Sequence, residues 1–230
     1  MVIGNGMVAK KFESYKDNNK IIIFASGVSN SKSTHEEAYK REINLLRGTI
    51  EEYNKHILIY FSTCSIYDPG EKNSRYILHK KEVENIIQSE CHQYYIFRVS
   101  NLAGQSRNPN TVLNFFVFHI LRGINFDLWK NATRNLIDID DMYKIVDYIL
   151  KKSLYQNQIV NIANPENYTT EEIITTIETL WKTRANYISI PKGHTFSVDI
   201  SLITPIMKEL GIRFEKDYLI NLLRKYYNHQ

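Results

Sequence analysis

The feature that most constrains the fold is the alternation of short apolar runs with longer amphipathic segments. The apolar runs are nearly continuous and rich in Ile and Val, which is typical of strands covered on both faces of a parallel sheet. Their alternation with helices predicts a doubly wound α/β fold. The predicted strands cover residues 2–3, 21–25, 57–61, 94–99 and 159–163, and the predicted helices cover residues 7–15, 34–53, 76–89, 111–121, 140–151, 169–183, 201–210 and 217–227.

Three residues are predicted to mark helix ends. Thr34 and Thr170 are candidate N-caps, and only Thr34 has a glutamate three residues later, Glu37, to complete a capping box. Gly211 is a candidate C-cap after a helix that ends at Leu210. The pattern becomes more helical after about residue 104. We therefore expect one part over residues 1–104 and a smaller, mostly helical part over residues 105–230 that is interleaved with the same domain.

Composition and charge exclude several classes of protein. A hydrophobic content of 43% can bury a core, and a net charge of +4 without a dense run of Lys or Arg argues against nucleic-acid binding. Cys64 and Cys91 form no CxxC pair, and no two His residues have a metal-binding spacing, so no metal site is expected. The longest apolar-rich run, 112–121, is too short to cross a bilayer, and no signal-peptide pattern opens the chain. We expect a cytoplasmic protein without a membrane partner.

A glycine turn near the N-terminus predicts a dinucleotide site. Gly4, Gly6 and Ala9 match the pattern G-x-G-x-x-A between an apolar stub and a helix, which is the context of a Rossmann-like phosphate turn. The first Gly permits a tight turn, the second lets the backbone approach a pyrophosphate, and the helix N-terminus favours an anion. An ordinary strand–helix turn is the alternative, since the acidic residue that usually binds the adenosine ribose ~20 positions later is missing.

Tyr76 and Lys80 form the pattern Y-x-x-x-K on a predicted helix, and this spacing puts both side chains on one helix face. An ammonium group beside a phenol favours the phenolate and lowers the phenol pKa from its free value of ~10. Such a tyrosine can exchange a proton with a sugar oxygen while hydride moves to or from nicotinamide. A surface tyrosine stacked on a lysine stem is the alternative, because the chain contains 16 tyrosines.

Further segments, in order along the chain, carry a family resemblance. The strand ending in Ala25, Ser26 and Gly27, the segment Asn44 to Thr49 and the segment Ser62 to Tyr67 come first. Arg98 to Gly104 then matches R-x-x-N-x-x-G, and Arg134 to Asp141 is similar to R-x-h-h-x-V-x-D. Together with the glycine turn and the Tyr–Lys pair, these segments resemble the extended short-chain dehydrogenase/reductases, the NAD-dependent epimerase/dehydratase family.

The resemblance implies a role for each matching residue. It implies that Thr63, Tyr76 and Lys80 are catalytic, and that the guanidinium of Arg134 pairs with a nucleotide diphosphate. The implied cofactor-binding residues are Gly4, Asn5, Gly6, Met7, Val8, Ala25, Ser26, Gly27, Asn44, Ser62, Tyr76, Lys80, Arg98 and Ser100. The implied substrate-binding residues are Thr63, Cys64, Ser65, Asn101 and Arg134.

The chain departs from the family by being trimmed near its start. Gly4 and Ile21 are only 17 positions apart (21 − 4), so two strand–helix units, with the adenosine-ribose acid, are missing from the expected Rossmann-like sheet. An epimerase has to retain one NAD through both half-reactions, whereas a reductase releases its cofactor, so the trimmed pocket favours a reductase. NADP or NAD is expected, with NADPH favoured, and Lys10 and Lys11 are candidate partners of a 2′-phosphate.

These observations predict a reductase of a nucleoside-diphosphate 4-ketosugar in polysaccharide biosynthesis. A dehydratase is disfavoured because Cys64 and Ser65 stand where the family's dehydratases carry an Asp–Glu pair. An NAD-dependent sugar-nucleotide epimerase and a catalytically silent dinucleotide-binding module are the alternatives. The resemblance also implies a homodimer formed through the helices predicted at 34–53 and 76–89.

Overall fold

The computed structural model describes residues 1–28, 36–106 and 108–228. The strands are β1 (Val2–Ile3), β2 (Ile21–Phe24), β3 (Ile57–Thr63), β4 (Tyr94–Val99), β5 (Asn101–Ala103), β6 (Phe126–Trp129), β7 (Thr133–Arg134), β8 (Leu136–Asp138), β9 (Ile159–Ile162), β10 (Tyr168–Thr169) and β11 (Tyr187–Ile190). The helices are α1 (Met7–Lys11), α2 (Glu36–Glu52), α3 (Arg75–Glu90), α4 (Val112–Leu121), α5 (Ile139–Lys151), α6 (Thr170–Trp181), α7 (Thr204–Glu209) and α8 (Tyr218–Tyr227).

The central sheet has five parallel strands in the order β1-β2-β3-β4-β9. Alternate side chains of each strand point to opposite faces, so the residues of one apolar strand contribute to two hydrophobic cores, one on each face of the sheet. Ile23 and Ile59 face a core formed with α1 and α5, whereas Ile22 and Leu58 face a core formed with α2 and α3. The predicted α/β fold, with helices on both faces of a parallel sheet, is therefore confirmed.

The first two crossover connections have opposite hands. The steps from β1 to β2 and from β2 to β3 go the same way across the sheet, because the strand order is sequential. However, α1 packs on one face and α2 on the other. Parallel crossovers in one direction share a hand only when they pass over the same face, and nearly all such crossovers are right-handed. One of these two connections is therefore of the rare left-handed kind.

The second half of the chain both extends this sheet and builds a second core. Helix α5 covers one sheet face, and β9 is the fifth strand. Helices α4, α6 and α8 pack together against β6 in a separate apolar cluster. Three two-stranded sheets pair β5 with β8, β6 with β11 and β7 with β10, and the first of them contributes side chains to both cores. Within the described ranges, no helix has the length and apolarity needed to cross a membrane.

One of the predicted helix caps differs in the structure. The N-cap of α6 is Thr169 rather than Thr170: its hydroxyl accepts a hydrogen bond from the Glu172 backbone N–H, and the Glu172 carboxylate accepts one from the Thr169 N–H. This is a capping box, which the prediction had assigned to Thr34 alone. Thr34 lies outside the described residues. Gly211 follows α7 with φ +65°, as the C-cap prediction requires.

Candidate active site

The carboxyl ends of the parallel strands bring most of the predicted site residues to one edge of the sheet. Gly4 follows β1, Gly27 follows β2, Thr63 ends β3 and Ser100 follows β4. Because all four strands run in the same direction, these positions line one crevice, which is where open α/β sheets bind their ligands.

Thr63 and Tyr76 form a buried hydroxyl pair at this edge. Both residues are buried, and the Thr63 hydroxyl opposes the rise of the Tyr76 pKa that burial causes, so the two groups act on each other. The Thr63 oxygen accepts a hydrogen bond of 3.1 Å from the Ser65 backbone N–H, and its own proton is available for donation. Two neighbouring hydroxyls of this kind can donate hydrogen bonds to a carbonyl oxygen.

Lys80 lies in a buried cluster centred on a residue that the sequence prediction missed, Glu42. The Lys80 ammonium donates to the Tyr60 hydroxyl at 2.7 Å and to the Glu42 carboxylate at 3.2 Å. Glu42 also accepts hydrogen bonds from the Tyr60 hydroxyl, the His79 ring and the Val28 backbone N–H, at 2.8, 2.9 and 2.7 Å. Burial raises the pKa of Glu42, but Lys80, His79 and the Val28 N–H outweigh it and hold the pKa at about 2.

The predicted lowering of the Tyr76 pKa by Lys80 is wrong. Burial raises the pKa of Tyr76 to about 12, the Thr63 hydrogen bond opposes this increase, and the Glu42 charge adds to it. The Lys80 nitrogen lies 5.8 Å from the centre of the Tyr76 ring, but its charge is balanced by Glu42. Tyr76 is therefore a neutral phenol at physiological pH.

Two of the predicted cofactor residues, Ser62 and Arg98, belong to a second buried hydrogen-bond network, which is centred on Glu84. Arg98 binds both carboxylate oxygens of Glu84, at 3.0 and 2.6 Å, and donates to the Tyr67 hydroxyl at 3.0 Å. Ser62 donates to Glu84 at 2.5 Å, and Tyr67 donates to Asn161 at 2.9 Å. The side chains of Ser62 and Arg98 are thus engaged mainly with other protein groups in this structure.

The glycine turn is formed as predicted, but on a small element. Gly4 has φ +126°, and a Cβ atom there would lie 2.4 Å from the Ala25 carbonyl oxygen, so glycine is required for β1 and β2 to meet. Gly6 precedes α1, and a Cβ atom there would have no atom within 4 Å. The turn, with Asn5, is exposed, while Met7 and Val8 are half-buried. Helix α1 has only 5 residues, so its dipole is weaker than that of a full-length helix.

The residues that follow β2 contact both β1 and Lys80 of α3. The Ala25 backbone N–H donates to the Ile3 carbonyl at 2.8 Å, and Ser26 follows it, half-buried. At Gly27, a Cβ atom would lie 2.8 Å from the Lys80 nitrogen and 3.0 Å from Glu42, so the missing side chain lets Lys80 reach the β2 backbone. Lys80 therefore lies beside the turn that the family resemblance assigns to the nicotinamide ribose.

The structure does not bring the side chains of two predicted contact residues, Asn44 and Cys64, into the crevice. Asn44 is exposed on the outer side of α2, 200° around the helix from the buried Glu42, because successive helical residues are 100° apart. Cys64 is buried and donates to the Arg98 carbonyl at 3.0 Å, and burial raises its thiol pKa to about 12. It is a packed thiol that does not face a substrate. The suggested 2′-phosphate contact is also weakened, because Lys11 is ion-paired with Asp140.

On the substrate side, Arg134 is half-buried and carries an unpaired charge. Among the described residues its guanidinium donates one hydrogen bond, to the Thr133 carbonyl at 3.1 Å, and forms no ion pair. Burial lowers the pKa of Arg134, and Asp68 and Glu71 partly offset this from a distance. Asn101 sits on β5, with its amide donating to the Asn135 carbonyl at 2.9 Å. Arg134 thus has several N–H donors available for an anion.

Comparison with known proteins identifies the family. A sequence model described as the NAD dependent epimerase/dehydratase family matches residues 7–163, more than half of the chain. The chain belongs to this family. The epimerase/dehydratase family comprises enzymes of the short-chain dehydrogenase/reductase type, which confirms the predicted class. A search of curated proteins finds no match to the sequence.

Solved structures show the same epimerase/dehydratase fold at low identity. The dTDP-glucose 4,6-dehydratase of Bacillus anthracis in complex with NAD has 16% identity and a TM-score of 0.72, covering 97% of this chain and 77% of that one. RMD of Pseudomonas aeruginosa complexed with NADPH has 13% identity and a TM-score of 0.71, covering 96% of each chain. UDP-glucuronic acid 4-epimerase of Bacillus cereus, in complex with UDP-glucuronic acid and NAD, has 17% identity and a TM-score of 0.69, covering 92% and 78%.

The residues present fit one half of the family's nicotinamide dinucleotide. The Ser100 hydroxyl is buried without a hydrogen-bond partner at the carboxyl end of β4, and the space beside Gly6 is open. Such an orphaned polar atom is expected where a ligand supplies the partner. On the adenosine side, no described strand pairs with the outer edge of β1. The nicotinamide and phosphate half therefore has protein partners, and the adenosine half has few.

Proposed function

We propose that this chain reduces the ketone of a nucleoside-diphosphate ketosugar, most favourably a 4-ketosugar destined for a polysaccharide. The observation that carries the proposal is the buried pair of hydroxyl residues Thr63 and Tyr76, in which Tyr76 is a neutral phenol. Reduction of a ketone needs a proton donor at the carbonyl oxygen, and a neutral phenol fills this role without prior protonation.

In the proposed reaction, Thr63 and Tyr76 donate hydrogen bonds to the substrate carbonyl oxygen. A reduced nicotinamide dinucleotide, when bound, supplies the hydride that forms the new C–H bond. The C=O π bond breaks, and Tyr76 gives its proton to the oxygen, so that an alcohol results. Lys80, beside Gly27, is placed to hold the nicotinamide ribose, because a primary ammonium has three N–H donors and the described contacts use two.

The residues after Thr63 support reduction over dehydration. Elimination of water from a ketosugar needs a separate general acid and general base at neighbouring carbons. Here the next two residues are a thiol turned into the protein, Cys64, and Ser65, whose backbone N–H is bonded to Thr63. Neither supplies a carboxyl group.

Arg134 is the proposed diphosphate ligand of the substrate. A half-buried guanidinium without an ionic partner among the described residues is costly unless an anion neutralises it. Its planar donors suit two phosphate oxygens. The bound UDP-glucuronic acid of the Bacillus cereus epimerase supports a substrate of this chemical class. Asn101 and Ser65 remain proposed substrate contacts.

NADPH is the proposed cofactor. A cofactor held mainly through its nicotinamide and phosphate half can exchange after each turnover, which suits a reductase. The NADPH bound to RMD of Pseudomonas aeruginosa supports the choice, although NAD is bound in the dehydratase and epimerase structures. With Lys11 paired to Asp140, Lys10 is the remaining candidate for the 2′-phosphate.

We also propose a cytoplasmic homodimer. The outer sides of α2 and α3 expose Leu45 and Leu78, which are 38% and 49% accessible. Gly48, in the C-terminal part of α2, has open space around its missing side chain, so a second helix can approach closely there. Both cysteines are free thiols, as a reducing compartment maintains them.

Calorimetry with NADPH, NADP, NADH and NAD, followed by an assay of ketosugar reduction, tests the proposal. Binding of NADPH above the others, with NADPH-dependent loss of the ketone, is expected. Exchange of deuterium at sugar carbons without added cofactor would instead favour an epimerase. Absence of binding of every form at millimolar concentration would contradict the proposal and favour a silent module.

A further inference from the structure

Glu42 is the most deeply buried carboxylate near the proposed site, and the family motifs give it no role. It has no accessible surface and accepts four hydrogen bonds, from the groups of Lys80, Tyr60, His79 and Val28 described above. A carboxylate buried only for packing would lower stability unless its charge were compensated. Here the compensating charge belongs to a proposed catalytic residue.

His79 adds a hydrogen bond to this cluster. Its Nε2 atom faces the Glu42 carboxylate, which can only accept, so Nε2 carries a proton. Its Nδ1 atom is buried and has no partner among the described residues. Within the described ranges, the other groups that act on Tyr76 are the hydroxyls of Thr63, Tyr39 and Tyr60. Lys80 and Glu42 form the buried Lys–carboxylate ion pair of the cluster.

We propose that Glu42 is a positioning residue of the catalytic pair: its carboxylate anchors the Lys80 ammonium beside Gly27 and balances its charge, so that Tyr76 is retained as a proton donor. This inference rests on the proposed reductase function. An unbalanced ammonium beside a phenol favours the phenolate, which is a base suited to oxidising an alcohol. A balanced one leaves the phenol intact, which suits delivery of a proton to a reduced carbonyl.

The geometry supports a fixed position for Lys80. Its nitrogen is held by Tyr60 and Glu42 from two elements, β3 and α2, while its own chain comes from α3. Any side chain at position 27 would overlap the nitrogen, so the β2 turn is shaped around it. The same carboxylate holds this turn through the Val28 N–H. One residue thus fixes both the lysine and the backbone that it touches.

A site-resolved titration of Tyr76 tests the inference without substrate or cofactor. A fluorinated tyrosine is placed at position 76, and its ionisation is followed by fluorine NMR. In Glu42→Gln the Lys80 charge is unbalanced, so the midpoint should fall by about one pH unit or more, a tenfold change in proton affinity. An unchanged midpoint would overturn the inference.

Glu84→Gln is the matched control, because Glu84 is a buried carboxylate that binds Arg98 and not Lys80. Its midpoint should stay at the wild-type value. If Glu42→Gln does not fold, the double variant Glu42→Gln/Lys80→Met leaves neither charge unpaired, and its midpoint should match the wild type. A displacement of one pH unit in that variant would contradict charge balance. Because no turnover is measured, failure here is distinguishable from failure of the reductase assay.

Discussion

The two sides of the crevice differ in how much structure supports them. On the side of β2, β3 and β4, the proposed catalytic residues are buried beneath helices of 17 and 16 residues, and their charges are paired. On the side of β1, a strand of 2 residues leads through an exposed turn into a helix of 5. The proposed proton-transfer residues thus lie in the well-supported part of the sheet, while the proposed cofactor site is built on a small edge. Chemistry and cofactor retention are therefore separable properties here.

The largest expected effect is a loss of ketone reduction, and it concerns the buried side of the crevice, formed by β2, β3 and β4. Replacing Tyr76 with Phe removes the proposed proton donor, so ketone reduction should fall by about 10²–10⁴-fold, while cofactor affinity measured by calorimetry changes little. Tyr15→Phe is the control, because it removes a tyrosine hydroxyl bonded to Asp147 at 2.8 Å on the opposite sheet face. Equal activity of the two variants would show that Tyr76 donates no proton.

The second prediction concerns the acid stability of the same side. The pKa of Glu42 in the folded protein, about 2, is below its ordinary value of 4.5, so its contribution to stability is present above pH ~4.5 and is lost as the pH falls towards 2. The difference corresponds to roughly 3 kcal/mol. Urea unfolding at a series of pH values should show this loss. Glu42→Gln should lack that part of the pH dependence, and an identical dependence in both proteins would contradict the prediction.

The third prediction separates fold from ligand on the β1 side. Gly4→Ala places a methyl group against the Ala25 carbonyl at a strained φ, so it should lower the free energy of unfolding by about 2 kcal/mol or more. Gly6→Ala meets no neighbouring atom and should cost under about 1 kcal/mol. It should nevertheless weaken NADPH binding if the pyrophosphate lies there. Equal unfolding free energies of the two variants would contradict the prediction that Gly4 is needed for the fold and Gly6 is not.

The smallest expected effect is a difference in amide hydrogen-exchange rate between the β1 edge and the centre of the sheet. The Ile23 N–H donates to the Met1 carbonyl just before β1, and the Ala25 N–H donates to the Ile3 carbonyl of β1. The Leu58 N–H donates instead to the Gln93 carbonyl, between β3 and β4. Because β1 pairs with one strand only, the first two amides should exchange about tenfold faster or more than the third. Comparable protection of all three would show that the edge is as stable as the centre.

Much of the fold could be predicted from periodicity. All five strands of the central sheet and all eight helices were expected, with ends within a few residues, because each combines an apolar pattern with tertiary burial. The three two-stranded sheets were missed. Their strands have 2 to 4 residues, too few to show an alternation, and their pairing depends on distant segments such as β6 and β11.

The site was predictable where a motif fixes it and unpredictable where packing does. The spacing of Thr63, Tyr76 and Lys80 indicated a common site, and the structure brings the three together. Glu42 was missed because a helical glutamate usually faces water. The available signal was its position in the buried stripe Tyr39, Glu42, Leu46 and Thr49, which have the spacing of one helix face.

The opposite hands of the α1 and α2 crossovers mark where the molecule could accept new structure. In the common Rossmann strand order the first strand is central, and its helix leads outward to a second and third strand before the chain returns to the other side. Here α1 keeps the face suited to that outward step, but the chain turns directly into β2 through residues 16–20. This connector is therefore a natural insertion point. A graft of two strand–helix units there would cover the edge of β1 that no described strand pairs with, and would add a surface beside the proposed cofactor site.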